Sequence, residues 1–289
     1  MNDLQRIEQA LSTFLAGTQA SDGPPRLGEA IRYAVFPGGA RIRPRLCLAV
    51  ARACGDDAPA VADGAAIAIE MLHCASLVHD DLPCFDDAAT RRGKPAVHKA
   101  YGERLAVLGG DGLIVLAFQA LAQACRSRPD RLAPLMAVVT RSVGTPHGIV
   151  AGQAWECEPF VTLSQYQRAK TGALFAAATE AGAAAAGANP EPWRLLGDRL
   201  GEAYQMADDI RDVVGDPALL GKPVGQDAAH GRPNGAGEYG LDGAVSKLES
   251  LLAGTLAAIP PCPGAEQLRE HVLTEARGLL PAGVALRAA

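Results

Sequence analysis

The sequence predicts an all-α protein, and three observations carry that prediction. Aromatic residues make up only 4% of the 289 residues, while alanine fills whole stretches. Few segments alternate apolar and polar residues as a half-buried strand does; apolar residues return instead at helical spacing along most of the chain. Turn chemistry then cuts that pattern into helix-length pieces at Pro37-Gly38-Gly39, Gly55-Asp56-Asp57, Arg92-Gly93-Lys94-Pro95, Asn189-Pro190 and Gly221-Lys222-Pro223. The expected helices run over 3–20, 26–36, 43–54, 58–82, 100–125, 130–145, 147–156, 163–187, 191–215, 240–258 and 264–278. With no composition break between them, residues 1–289 are expected to form a single domain. The small-residue tract 176–188 predicts a helix face that packs closely within the core. The segment 221–239 is the longest polar interruption, and a loop that long in a compact domain is usually functional or mobile.

Composition removes several classes of function. With 48% hydrophobic and 20% charged residues the chain is globular rather than fibrous or disordered. A net charge of −5 with scattered Lys and Arg offers no basic field for nucleic acid. The apolar runs at 112–125 and 142–155 stop short of the ~18 residues a membrane span needs, so no transmembrane segment is expected. The first residues, Met-Asn-Asp-Leu-Gln-Arg-Ile-Glu, lack the order of a signal peptide, which makes the cytoplasm the expected location. Seven cysteines without a C-x-x-C pair suggest neither a disulfide framework nor a zinc site; they are expected to be reduced and mostly buried.

The chemistry lies in two Asp clusters, each closing an apolar helical pattern: His79-Asp80-Asp81-Leu82-Pro83-Cys84-Phe85-Asp86-Asp87 and Gln205-Met206-Ala207-Asp208-Asp209-Ile210-Arg211-Asp212. Asp208 and Asp212 are about 40° apart around a helix and share a face. Asp80 and Asp86 would diverge by about 120° on an unbroken helix, but Pro83 should end the helix and let Asp86 curl back towards Asp80. Carboxylates this dense need neutralising, and Mg2+ suits them because it binds carboxylate oxygens and shares its remaining shell with phosphates. An EF-hand fails on residue order. Guanidinium-rich segments stand nearby, Arg91-Arg92-Gly93-Lys94 and Gly38-Gly39-Ala40-Arg41-Ile42-Arg43-Pro44-Arg45, and both suit phosphate. His73 lies about 20° off the Asp80 stripe and should face the same cavity two turns below.

These residues resemble the trans-isoprenyl diphosphate synthases, or polyprenyl synthetases. The first family motif, D-D-x-x-x-x-D followed by R-R-G, matches Asp80, Asp81, Asp86 and Arg91-Arg92-Gly93; the second, D-D-x-x-D, matches Asp208, Asp209 and Asp212. The family K-T-G matches Lys170-Thr171-Gly172. The resemblance implies long helices around a deep central cavity, a homodimer, and Mg2+ (three ions per site, with Mn2+ as a substitute) held by Asp80, Asp81, Asp86, Asp208 and Asp209, with Asp212 in an outer position. It implies that Arg91, Lys170, Thr171, Gln205 and Lys222 contact an allylic diphosphate (dimethylallyl, geranyl or farnesyl), while Arg43, His73 and Arg92 bind isopentenyl diphosphate. Lys170 joins the aspartates as a catalytic residue on this reading. The family sets product length five residues before the first Asp, where a bulky aromatic stops growth at fifteen carbons. Here that position is Ala75, followed by Ser76, so a longer product, geranylgeranyl diphosphate, is implied, with farnesyl diphosphate as the alternative.

Phe36-Pro37-Gly38-Gly39-Ala40-Arg41 and Ala151-Gly152-Gln153-Ala154-Trp155-Glu156 are most similar to the geranylgeranyl diphosphate synthases of bacterial carotenoid and bacteriochlorophyll pathways. The chain departs from the pattern at Ala40, where the family has Lys; Arg41 or Arg45 is the expected compensation. The second lysine beyond Lys222 becomes Arg232 or is missing, and the basic tail is reduced to Arg287. Two other classes stay open: a non-catalytic regulatory homologue, which the complete second motif disfavours, and a terpene cyclase, which the Gly-Gly-x-Arg and Arg-Arg-Gly elements disfavour.

Overall fold

The computed structural model describes residues 2–18, 22–36, 38–214 and 235–278. Among them the chain is helical almost throughout, in the order α1 (Asp3–Gly17), α2 (Pro25–Val35), α3 (Ile42–Ala53), α4 (Pro59–Asp80), α5 (Val97–Tyr101), α6 (Glu103–Ala124), α7 (Leu132–Val143), α8 (Ile149–Ala154), α9 (Leu163–Gln167), α10 (Ala173–Ala185), α11 (Arg194–Val214), α12 (Gly235–Ala257) and α13 (Ala265–Gly278). The expected helices are present, with three refinements. Residues 100–125 are not one helix, because α5 ends at Tyr101 and α6 begins at Glu103 with a break at Gly102 (φ 88°). Residues 163–187 are not one regular helix: a π-helical turn at Arg168–Gly172 separates α9 from α10. Residues 235–239, expected in a loop, are helical and join α12 through a break at Gly240 (φ 67°), while 221–234 lies outside the described residues.

Each helix has a local reason. Asn2 caps α1 in a reciprocal capping box with Gln5, while Pro25 and Pro59 open α2 and α4 at the position where a missing N–H costs least. α10 is buried at every residue, because its alanines let α3, α4, α7 and α11 approach from all sides. The tract is therefore core over 176–185, while Gly187 beyond the end of α10 is exposed. α4 and α6 run antiparallel as the longest packed pair: His79 near the end of α4 reaches the Val107 carbonyl near the start of α6, while Gly64 meets Ala120 and Ala124.

Both α4 and the stretch Glu103–Ser127 are long and apolar enough to span a membrane by length and composition, which the sequence reading did not anticipate. In α4 that apolar window is 78% buried inside the protein, as expected of a core helix, but in the second it is 39% buried, and Val107, Leu108 and Val115 are exposed. The cysteines correct a second expectation: Cys47, Cys74 and Cys125 are buried and Cys54 and Cys262 partly so, but Cys84 and Cys157 are exposed.

Candidate active site

The first acidic cluster begins where α4 ends. Asp80 is its last residue, and the N–H of Asp86 donates to the Asp80 carbonyl at 3.0 Å, closing a turn that the Ala88 N–H to Asp81 carbonyl bond also stabilises (3.2 Å). Asp86 thus folds back onto Asp80 after the break near Pro83. Their carboxylates are joined by that of Glu156, with ligand oxygens from all three within 4.8 Å of one another. Glu156 follows α8 and accepts hydrogen bonds from Tyr166 (2.5 Å), Lys170 (2.6 Å) and Gln153 (3.0 Å).

Lys170 rises from the π-turn and bridges the cluster, 3.1 Å from Asp80 and 2.6 Å from Glu156. Burial opposes its charge, but Asp80, Tyr166 and Glu156 outweigh burial and raise its pKa above the usual lysine range. The π-turn inserts an extra residue into the helix, a device frequent at functional sites, and here it carries both Lys170 and Thr171. Thr171 donates to the Gln205 Oε1 (3.1 Å), whose amide donates to Asp209 (2.9 Å).

Asp81 is placed differently from Asp80. It is buried and receives the Arg91 guanidinium through two nitrogens, Nε at 2.9 Å and Nη2 closer still. Burial pushes its carboxyl up, and Arg91 opposes that shift. In the second cluster Asp208 lines the cavity and accepts from Arg211 at 2.8 Å, whereas Asp209 is buried against Gln205. The Asp212 side chain lies outside the described residues, as do Lys222, Arg232 and Arg287.

Arg91 and Arg92 are delivered by a hairpin, β1 (Thr90–Arg91) pairing antiparallel with β2 (Lys94–Pro95). Its two-residue turn, Arg92-Gly93, has positive φ at both positions, as tight hairpins require. Lining the same cavity, α3 presents Arg43, stacked on Phe175 (4.5 Å to the ring centre) and 3.4 Å from the His73 Nε2. Burial, then the charges of Arg43 and Arg92, lower His73 well below the ordinary histidine pKa, so the imidazole is neutral. The suggested replacements for the lysine missing at position 40 are engaged elsewhere. Arg41 turns inward to Glu8, Glu70 and the Val35 carbonyl, and Arg45 pairs with Glu275.

Most of these groups border one cavity of roughly 960 Å³, at the upper end of the range for small-molecule sites, while Asp81, Asp86, Glu156 and Asp209 are not among the residues that line it. Asp80, Lys170, Thr171, Gln205, Asp208, Arg43, His73, Arg91 and Arg92 line its charged part; Leu72, Ala75, Leu77, Ile114, Val143 and Leu174 line an apolar part that Ser76 also borders. Ala75 lies one and a half helical turns below Asp80, so the small side chains sit beneath the acidic rim.

A family model described as polyprenyl synthetase matches residues 24–251. The chain belongs to that family. It is 56% identical over 283 residues to a geranylgeranyl diphosphate synthase from Cereibacter sphaeroides, covering 98% of both chains. It is 52% identical to one from Rhodobacter capsulatus over 93% of each. Among solved structures it superposes on a geranyltransferase from Helicobacter pylori complexed with magnesium and isoprenyl diphosphate, with a TM-score of 0.80, 27% identity, and coverage of 96% of this chain and 98% of that one.

Sequence reasoning missed Glu156 and Glu70. Glu70 carries a readable signal as the lone acid in the apolar run 64–79, whereas Glu156 carries none, because its meeting with Lys170 depends on α8 packing against the π-turn.

Proposed function

We propose that this chain joins isopentenyl diphosphate head-to-tail to an allylic diphosphate and releases geranylgeranyl diphosphate. A single observation carries the reading: one cavity combines an acidic rim bridged by Lys170 with a guanidinium-lined second subsite and a long apolar wall beneath Asp80.

The donor set suits a divalent ion. Asp80, Asp86 and Glu156 offer hard oxygen ligands within 4.8 Å of one another, and Asp208 adds a carboxylate to the same cavity. A bound Mg2+ would stabilise charge growing on the leaving diphosphate. We take three ions, with Asp81, Asp209 and Asp212 as supporting carboxylates, from the family pattern. Lys170, Thr171, Gln205, Arg91 and Lys222 bind the allylic diphosphate on this reading, and fixed cations there lower the barrier to breaking its C–O bond. Arg43, His73 and Arg92 bind the second diphosphate and align the double bond of isopentenyl diphosphate with the allylic C1. The new C–C bond forms from C4 of the isopentenyl unit and leaves positive charge on its C3, a proton is lost from the neighbouring C2, and the departed diphosphate accepts it. The apolar wall keeps water from the cationic carbon and directs the growing chain past Ala75 and Ser76.

The reading also takes residues 1–289 as one domain in the cytoplasm and pairs two copies. The exposed Leu108 and Val115 of α6, seven residues apart on one helix face, are apolar side chains of the kind that subunit boundaries cover. Incubating the protein with labelled isopentenyl diphosphate, Mg2+ and each of dimethylallyl, geranyl and farnesyl diphosphate, then sizing the dephosphorylated alcohols, tests the proposal. Twenty-carbon alcohol is the expected end product. Termination at fifteen carbons would favour farnesyl diphosphate synthesis instead, and no elongation from any starter would remove the reading.

A further inference from the structure

Two non-glycine residues at the cavity wall, Arg41 (φ 51°) and Arg92 (φ 53°), occupy the left-handed backbone region. Such strain persists only where the surroundings over-determine it, and it clusters at functional sites. Both guanidiniums converge on one carboxylate oxygen: Arg41 Nη1 lies 2.5 Å from Glu70 Oε1, and Arg92 Nη2 lies 4.0 Å from it. Glu70 is 2% exposed, halfway along α4. The Gly38-Gly39 segment covers the same pair. A Cβ at Gly38 would stand 2.2 Å from the Arg41 guanidinium carbon, and one at Gly39 would stand 3.1 Å from the Arg92 Nε.

The two arginines are used differently. Arg41 is fully committed, with Nε to Glu8, Nη1 to Glu70 and Nη2 to the Val35 carbonyl. Burial opposes its charge, yet Glu70 and Glu8 raise its pKa above the ordinary value. Arg92 keeps 22% side-chain exposure and borders the cavity. We propose that Glu70 is a positioning residue that aims Arg92 at the diphosphate of isopentenyl diphosphate and, through Arg41, fixes the turn from which Arg43 enters the same subsite. Glu8 makes α1 the second anchor of that turn. The inference rests on the assignment of Arg43 and Arg92 to the isopentenyl diphosphate subsite. With Ala40 in place of a lysine, fewer cations serve that subsite, so the aim of those remaining matters more.

Glu70→Gln keeps shape and removes charge. Steady-state kinetics should show the KM for isopentenyl diphosphate raised about tenfold or more, with kcat and the KM for farnesyl diphosphate within about threefold, the pattern of lost binding at one subsite. Glu70→Asp should recover part of the loss. Combining Glu70→Gln with Arg92→Gln should add little to Arg92→Gln alone, because both act on one contact. A folded Glu70→Gln enzyme with an unchanged KM for isopentenyl diphosphate, or with equal losses for both substrates, overturns the proposal while leaving the subsite assignment intact. An unchanged KM in Arg92→Gln overturns that assignment and the proposal with it. Should Glu70→Gln fail to fold, Glu8→Gln decides: a selective rise for isopentenyl diphosphate supports the proposal, and no rise contradicts it.

Discussion

Lys170 and Asp80 meet at 3.1 Å across ninety residues of sequence. The contact joins a π-turn to the end of α4 and sets an ammonium among carboxylates that would otherwise repel one another. On the proposed function, the same cation faces the diphosphate that those carboxylates would hold.

Lys170→Ala should therefore cut kcat/KM for the allylic diphosphate about a hundredfold, roughly 3 kcal/mol of lost transition-state stabilisation. The KM for isopentenyl diphosphate should change by less than about threefold. Initial rates over a grid of both substrates measure this, and equal losses for the two would contradict the subsite division.

Glu156 belongs to the same acidic group as Asp80 and Asp86, the proposed metal site. Glu156→Gln retains size but loses the charge and one of the two accepting oxygens, so the Mg2+ concentration for half-maximal activity should rise about tenfold or more. Circular dichroism should be unchanged. Wild-type Mg2+ dependence in this variant would exclude Glu156 as a ligand.

Ala75 is buried and borders the cavity beneath Asp80. Ala75→Tyr fills the space a growing chain would pass, and product analysis should show fifteen-carbon alcohol in place of twenty. Overpacking a close-packed wall should also cost about 1–3 kcal/mol of stability. A variant that folds and still makes the longer product would show that the stop lies elsewhere.

His271 gives a pH signature away from the cavity. Burial first, then Arg45, lowers its pKa to about 4 in the folded protein, against about 6.5 unfolded. Between those values the unfolded chain binds the extra proton, so stability falls as pH falls, by on the order of 2–3 kcal/mol across the window. Denaturant titrations of wild type and His271→Gln at pH 7 and pH 4.5 should show a smaller drop for the variant. Equal drops would mean that His271 titrates normally in the fold.

Most of the fold was legible in the sequence because helix periodicity and Gly/Pro punctuation are local signals. The π-turn at Arg168–Gly172 was not, since α8 and α11 pack against that segment and such contacts leave no local pattern. The acidic rim was legible through the recurrence of Asp pairs after apolar residues and through the break near Pro83, which brings Asp86 back to Asp80. Spacing could not show that Asp81 turns to Arg91, that Asp209 turns to Gln205, or that Arg41 turns inward to Glu70. Those choices depend on which partner a neighbouring element supplies. Glu156 joins the rim only because α8 comes to lie against the π-turn, a contact that no stretch of sequence records.

The account depends most on divalent ions bound between the acidic rim and a diphosphate. Crystals grown with Mn2+ and a non-hydrolysable thio-analogue of the allylic substrate, measured for anomalous scattering at the manganese edge, test it directly. The account predicts manganese peaks bonded to Asp80 and Asp86 and to the analogue's phosphate oxygens, with Lys170 drawn to the same diphosphate. An analogue bound in the cavity with no manganese between it and those carboxylates would contradict it.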